Sequence, residues 1–164
     1  MSATATETAA THIVDFGALA VPHFPGCTMS VIANDGYADT VTIRTATAHI
    51  ALSVYAANRQ GEIAGYFGNC LGYLSSENVH ADRVEWVSND DVGGTTDDGT
   101  HIRFLRISGA GWLLRGAVRA PHLAAADDVA FTKRLLVASV VRAPRHFIAG
   151  TVLELNATPR WLSL

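Results

Sequence analysis

The chain has 164 residues, 49% of them apolar and 16% charged, with a formal net charge of −3. This excludes a disordered chain and one too short to bury a core, and the charge gives no bulk attraction to nucleic acid or anionic lipid. No apolar run reaches the eighteen residues of a membrane span, and Met1–Thr11 lacks the basic and apolar regions of a signal peptide, so the expectation is a cytoplasmic protein.

Residues 1–12 are mostly small and polar and read as a flexible arm; residues 13–164 read as one domain. Ile13–Val21 is an apolar segment ended by Pro22, and Pro22, Pro25 and Gly26 make a turn region. A strand is expected over Cys27–Ala33. The Asn34-Asp35-Gly36 turn then connects it, as a hairpin, to Asp39–Thr45, where Thr40, Val41, Thr42 and Ile43 favour a pleated strand. His49–Tyr55 alternates as a third strand.

Ile63, Tyr66, Phe67, Cys70, Leu71 and Leu74 recur at three- and four-residue spacing and predict a first helix, although Gly65, Gly68 and Gly72 lie among them. Arg83–Ser88 reads as a strand and Asn89–Gly99 as a loop. His101–Ile107 and Trp112–Val118 form the firmest hairpin, turning at Gly109-Ala110. A second helix is expected over His122–Leu136, with Leu123, Val129 and Leu136 as its apolar positions, and residues 142–164 read as extended. Hairpins in succession with two helices between them predict an α+β fold: one mainly antiparallel sheet of five to seven strands with about two helices packed on it.

Three segments carry a family likeness. They are Asp15-Phe16-Gly17-Ala18-Leu19-Ala20-Val21-Pro22, the run Arg103–Gly116, and Val140-Val141-Arg142 followed by Ala143-Pro144-Arg145 and Leu153-x-Leu155. Over roughly residues 13–158 the chain resembles, as a distant member, the actinobacterial DUF3710 family of unknown function. It departs from the family pattern at Ala64, where a Trp is usual, and at Gly109-Ala110-Gly111-Trp112, where the family has Gly-Pro-Arg-Trp. The resemblance implies no activity and carries over no catalytic residue.

The chemistry-bearing residues are dispersed. Asp90, Asp91, Asp97 and Asp98 offer oxygens to a cation, but without the spacing of a calcium loop, and a solvated connection explains them equally well. The seven histidines form no local metal-binding pair, and Cys27 and Cys70 read as buried free thiols. No cofactor, no metal and no catalytic set is expected.

The arginines are more informative. Period-two alternation puts Phe104, Arg106, Leu113, Arg115 and Arg119 on one face of the hairpin, and Leu105, Ile107, Trp112, Leu114 and Val118 on a core face. The first face either meets a phosphate, a carboxylate or an acidic partner, or covers a helix or pairs with Asp127 and Asp128. At the end of the chain Arg160, Trp161, Leu162 and Leu164 either anchor a partner or fold back as an edge strand. These features favour a non-enzymatic protein-interaction or assembly subunit that binds a protein partner or itself, including a component of a larger particle. A small-ligand-binding module is the first alternative and an enzyme of unrecognised class the second.

Overall fold

The computed structural model describes residues 9–143 and 147–164. Residues 1–8, most of the expected arm, and the Pro144-Arg145 part of the closing motif lie outside the described residues. The rest of the arm is not loose: His12 opens the first strand, β1 (His12–Asp15), and Leu164 donates its N–H to the Thr11 carbonyl. Asp15 then turns the chain, its Oδ1 accepting the Gly17 N–H at 2.9 Å while Gly17 takes φ +89°. The chain returns as β2 (Leu19–His23), antiparallel to β1.

Pro22 lies inside β2 rather than ending it, for a reason of register. The Phe16 N–H bond to the Leu19 carbonyl sets which pairs are hydrogen-bonded, and by alternation the Pro22 nitrogen points away from β1. On that side the neighbouring strand reaches only Leu19 and Ala20, so no ladder bond is lost.

The Asp35-Gly36 hairpin forms as expected. Asp35 and Gly36 take φ of +51° and +79°, the primed turn that matches strand twist, between β3 (Thr28–Asn34) and β4 (Tyr37–Arg44). After β5 (His49–Ala56) comes helix α1 (Tyr66–Ser76). Its buried seam is Tyr66, Cys70 and Leu74, a four-residue step, and Leu71 stays outside it.

β6 (Val84–Ser88) is followed by β7 (Asp91–Thr95), which occupies the middle of the segment expected to be a loop. Its two glycines look like turn residues but are there for close approach. A Cβ on Gly93 would run into the Arg103 side chain and the Ile102 carbonyl, and one on Gly94 into Val79.

The long hairpin is β8 (Thr100–Gly109) and β9 (Trp112–Pro121). It turns at Ala110-Gly111, one residue later than expected, with Gly111 at φ +85°. Arg106 therefore opposes Arg115 rather than Leu113. The pairing moves by two residues, so every side chain keeps its expected face.

Helix α2 (Ala125–Ala138) starts after a single 3₁₀ turn at His122–Ala124. Leu123, expected on its apolar stripe, lies on that turn and is 99% exposed; Val129, Phe131, Leu135 and Leu136 make the buried side. β10 (Val140–Val141) and β11 (Arg160–Ser163) complete the fold.

The architecture is α+β with two antiparallel sheets, where the sequence suggested one. Seven strands run in the order β3-β4-β5-β9-β8-β7-β6, and four in the order β10-β2-β1-β11. The small sheet escapes sequence reading because its strands have two to five residues, too few to show alternation. The large sheet is buried on both sides. One face packs Leu52, Val54, Leu114 and Val118 against α2 and the small sheet; the other packs Ile102, Phe104 and Leu113 against α1. No helix among the described residues is long and apolar enough to cross a membrane.

Candidate functional site

Phe104, Arg106, Arg115 and Arg119 share one face of the β8–β9 hairpin, and α1 lies on that face. Phe104 is 2% exposed, inside the core between α1 and the sheet. Arg106 stacks over the rings of Tyr66 and Phe67, at 4.9 and 4.5 Å, and its Nε donates to Asp90 at 3.1 Å. Arg119 pairs with Glu77, at the C-terminal end of α1, at 2.9 Å. Neither Asp127 nor Asp128 meets these arginines among the described ion pairs. Asp128 is buried and accepts the Thr47 hydroxyl at 2.8 Å.

Arg115 differs from its neighbours. It projects beside the start of α1, half-buried, with its guanidinium over Tyr55 and Phe104, each at 5.3 Å. Among the described residues no carboxylate lies within ion-pair distance of it. It lines a cavity of about 230 Å³ together with Tyr55, Tyr66, Asn69, Ala64 and Gly150. Tyr66 was legible only as a helix core position. Its hydroxyl is in fact buried without a hydrogen-bond partner, and burial first, then Cys70, holds its pKa well above the usual phenol range.

The aspartates of the acidic segment disperse among separate partners. Asp91 makes a two-pronged ion pair with Arg103, at 2.8 and 2.7 Å, on the α2 side of the large sheet. Asp90 holds Arg106, Asp97 meets His80 at 2.9 Å, and Asp98 accepts from the Thr96 hydroxyl and the Thr100 N–H. Among the described residues no three His, Cys, Asp or Glu side chains gather as metal ligands would. Cys27 and Cys70 are buried free thiols, and burial raises the pKa of both.

The residues at the end of the chain form an edge. β11 pairs antiparallel with β1 and is the last strand in the small sheet's order. The Leu164 N–H bond to Thr11 marks Arg160, Leu162 and Leu164 as the positions bonded to β1. By alternation the N–H and C=O of Trp161 and Ser163 point away from β1, off the edge of the sheet. Trp161 is 50% exposed, with its ring edge-on to His23 at 4.9 Å and His12 at 5.8 Å; Leu162 and Leu164 are also exposed. Arg160 lies 3.9 Å from Asp15.

The three segments of the family likeness now have physical roles. Arg142, from the closing segment, donates to Asp15 at 2.8 Å and to the Gly17 carbonyl at 2.9 Å, so the opening and closing motifs hold each other. The middle motif is the β8–β9 hairpin that carries both core faces. No curated protein and no solved structure matches the chain. Residues 2–161, nearly the whole chain, match the model of DUF3710, described as a protein of unknown function, and the chain belongs to that family.

Proposed function

We propose that the protein is a non-enzymatic assembly subunit that joins a second copy of itself along β11. The observation that carries this reading is the unprotected edge. β11 contains no Pro, its one charged residue, Arg160, opens the strand beside Asp15 of β1, its four residues are exposed, and its outward backbone groups at Trp161 and Ser163 have no strand beside them among the described strands. An edge of this kind is a template for another strand unless charge, proline or a covering element blocks it. Trp161 and Leu162 add apolar surface on the two faces of that edge, and a half-exposed Trp is a frequent interface anchor. Antiparallel pairing of β11 with its own copy about a two-fold axis would extend the small sheet to eight strands and close the edge on both copies.

Sedimentation velocity over a range of protein concentrations tests this. The full chain should shift from monomer to dimer as concentration rises. Ser163→Pro removes one outward N–H without touching the bonds to β1, and should hold the chain as a monomer with unchanged melting of the isolated subunit. A chain that stays monomeric at every concentration, or a Ser163→Pro variant that dimerises like the parent, contradicts the proposal.

A further inference from the structure

We propose that the cavity between Arg115 and the start of α1 binds a small oxyanion, the carboxylate or phosphate of a compact organic molecule. This site uses residues distant in sequence from β11 and stands whether or not the chain assembles.

Four observations converge on it. Arg103, Arg106 and Arg119, on the same hairpin, each have an acid of their own, at 2.7, 3.1 and 2.9 Å, whereas Arg115 meets no carboxylate among the described residues. A half-buried guanidinium lying over two rings, with the neutral Cys70 side chain beside it, has lost part of its hydration and offers a planar fork of donors to an anion. The Tyr66 hydroxyl is a second donor with no oxygen or nitrogen partner, only the Cys70 side chain beside it, on a residue 6% exposed that lines the same cavity. Buried polar groups are nearly always paired, so two donors that share one weak thiol acceptor leave a place for a stronger one.

The third observation is the helix. α1 begins at this cavity, with Gly65 in the left-handed conformation at φ +76°, no side-chain cap and no acid in its first turn. Its N-terminal end is therefore a positive pole with no acid to offset it, and Tyr66 and Asn69 of its first turn line the cavity. The fourth is the wall. Ala64 and Gly150 leave room, Asn69 supplies an amide, and no acidic residue lines the cavity. Two donors, a positive pole and the lack of an acidic wall select an anion over a cation. The volume of about 230 Å³ selects a compact molecule over a chain or a nucleotide.

Isothermal titration and two-dimensional NMR of the full chain, with sodium acetate and with sodium phosphate against sodium chloride at matched ionic strength, test the site. Saturable binding of either probe is expected, with shifts centred on Tyr66, Asn69 and Arg115. Saturation by acetate alone assigns the site to carboxylates, and saturation by phosphate alone assigns it to phosphate esters. Arg115→Gln should weaken binding at least about tenfold, the loss of a charge-assisted pair. Tyr66→Phe should weaken it while leaving the fold intact, which keeps the test readable if Arg115→Gln fails to fold. Arg44→Gln, an exposed arginine on the same sheet face, should change nothing. Responses that match chloride, or saturable binding retained in full by both Arg115→Gln and Tyr66→Phe, would overturn the proposal.

Discussion

Arg142 and Asp15 lie 127 positions apart in sequence and 2.8 Å apart in the fold, and the same Asp15 oxygen closes the turn at Gly17. One carboxylate thus ties the first turn of the small sheet to the segment that follows α2. The bond from Gly17 is the leading cause that lowers the Asp15 pKa, ahead of Arg142 and Arg160, with desolvation opposing. A lowered folded-state pKa means stability that is present above the ordinary 3.8 and lost as pH falls through the folded value. Asp15→Ala should cost about 1–2 kcal/mol at pH 7, the loss of a turn bond and an exposed ion pair. Denaturation curves should show the gap narrowing as pH falls below 3.8; a gap that widens in acid would contradict this account.

Asp91 and Arg103 make the most enclosed ion pair described, with side chains 4% and 13% exposed. Removing one partner leaves the other charge buried. Asp91→Ala should cost about 3–5 kcal/mol, and adding Arg103→Met should recover part of that loss. A denaturant series on the two variants measures the recovery, and a double variant less stable than Asp91→Ala would contradict the assignment.

The two faces of the β8–β9 hairpin should respond alike. Phe104→Ala and Leu114→Ala, on opposite faces and both buried, should each cost about 3–5 kcal/mol. Leu123→Ala, on the exposed 3₁₀ turn, should change stability by less than about 0.5 kcal/mol. A near-neutral Phe104→Ala would mean that α1 does not seal its face.

Asp128 behaves in the opposite sense to Asp15. Desolvation is the leading cause that raises its pKa, the Thr47 hydroxyl opposes, and Asp127 adds to the rise. A raised carboxyl favours the protonated form in the folded state, so its ionisation costs stability as pH rises through the folded value. Asp128→Asn keeps an acceptor for Thr47 and should be more stable than the parent at pH 7. That gain should vanish below the ordinary 3.8. A variant less stable at pH 7 would reverse the assigned cause.

What the sequence made legible was turn chemistry and period. Asp35-Gly36 demanded a primed turn, and the glycines between Ile107 and Trp112 located the long hairpin to within one residue. What it concealed was tertiary. Gly93 and Gly94 read as loop because a glycine needed for the approach of Arg103 or Val79 looks the same as one needed for a turn. The face of Arg106 and Arg115 stayed open between a partner and a covering helix, because alternation cannot show that α1 brings Tyr66 and Phe67 over Arg106. Of the candidate residues, Arg115 was identified by its face, but Tyr66, which lines the same cavity, was hidden in the helical period. Only the three-dimensional structure puts Tyr66 on the same cavity as Arg115 and shows its hydroxyl to be buried.

Amide hydrogen exchange along β11 tests the assembly claim most directly, because neighbouring residues serve as each other's control. Leu162 and Leu164 sit in positions bonded to β1 and should be protected at every protein concentration. Trp161 and Ser163 point off the edge and should exchange freely in dilute solution, then gain protection as concentration rises and a second copy pairs with them. Exchange at Trp161 and Ser163 that stays fast and independent of concentration would contradict assembly through this edge.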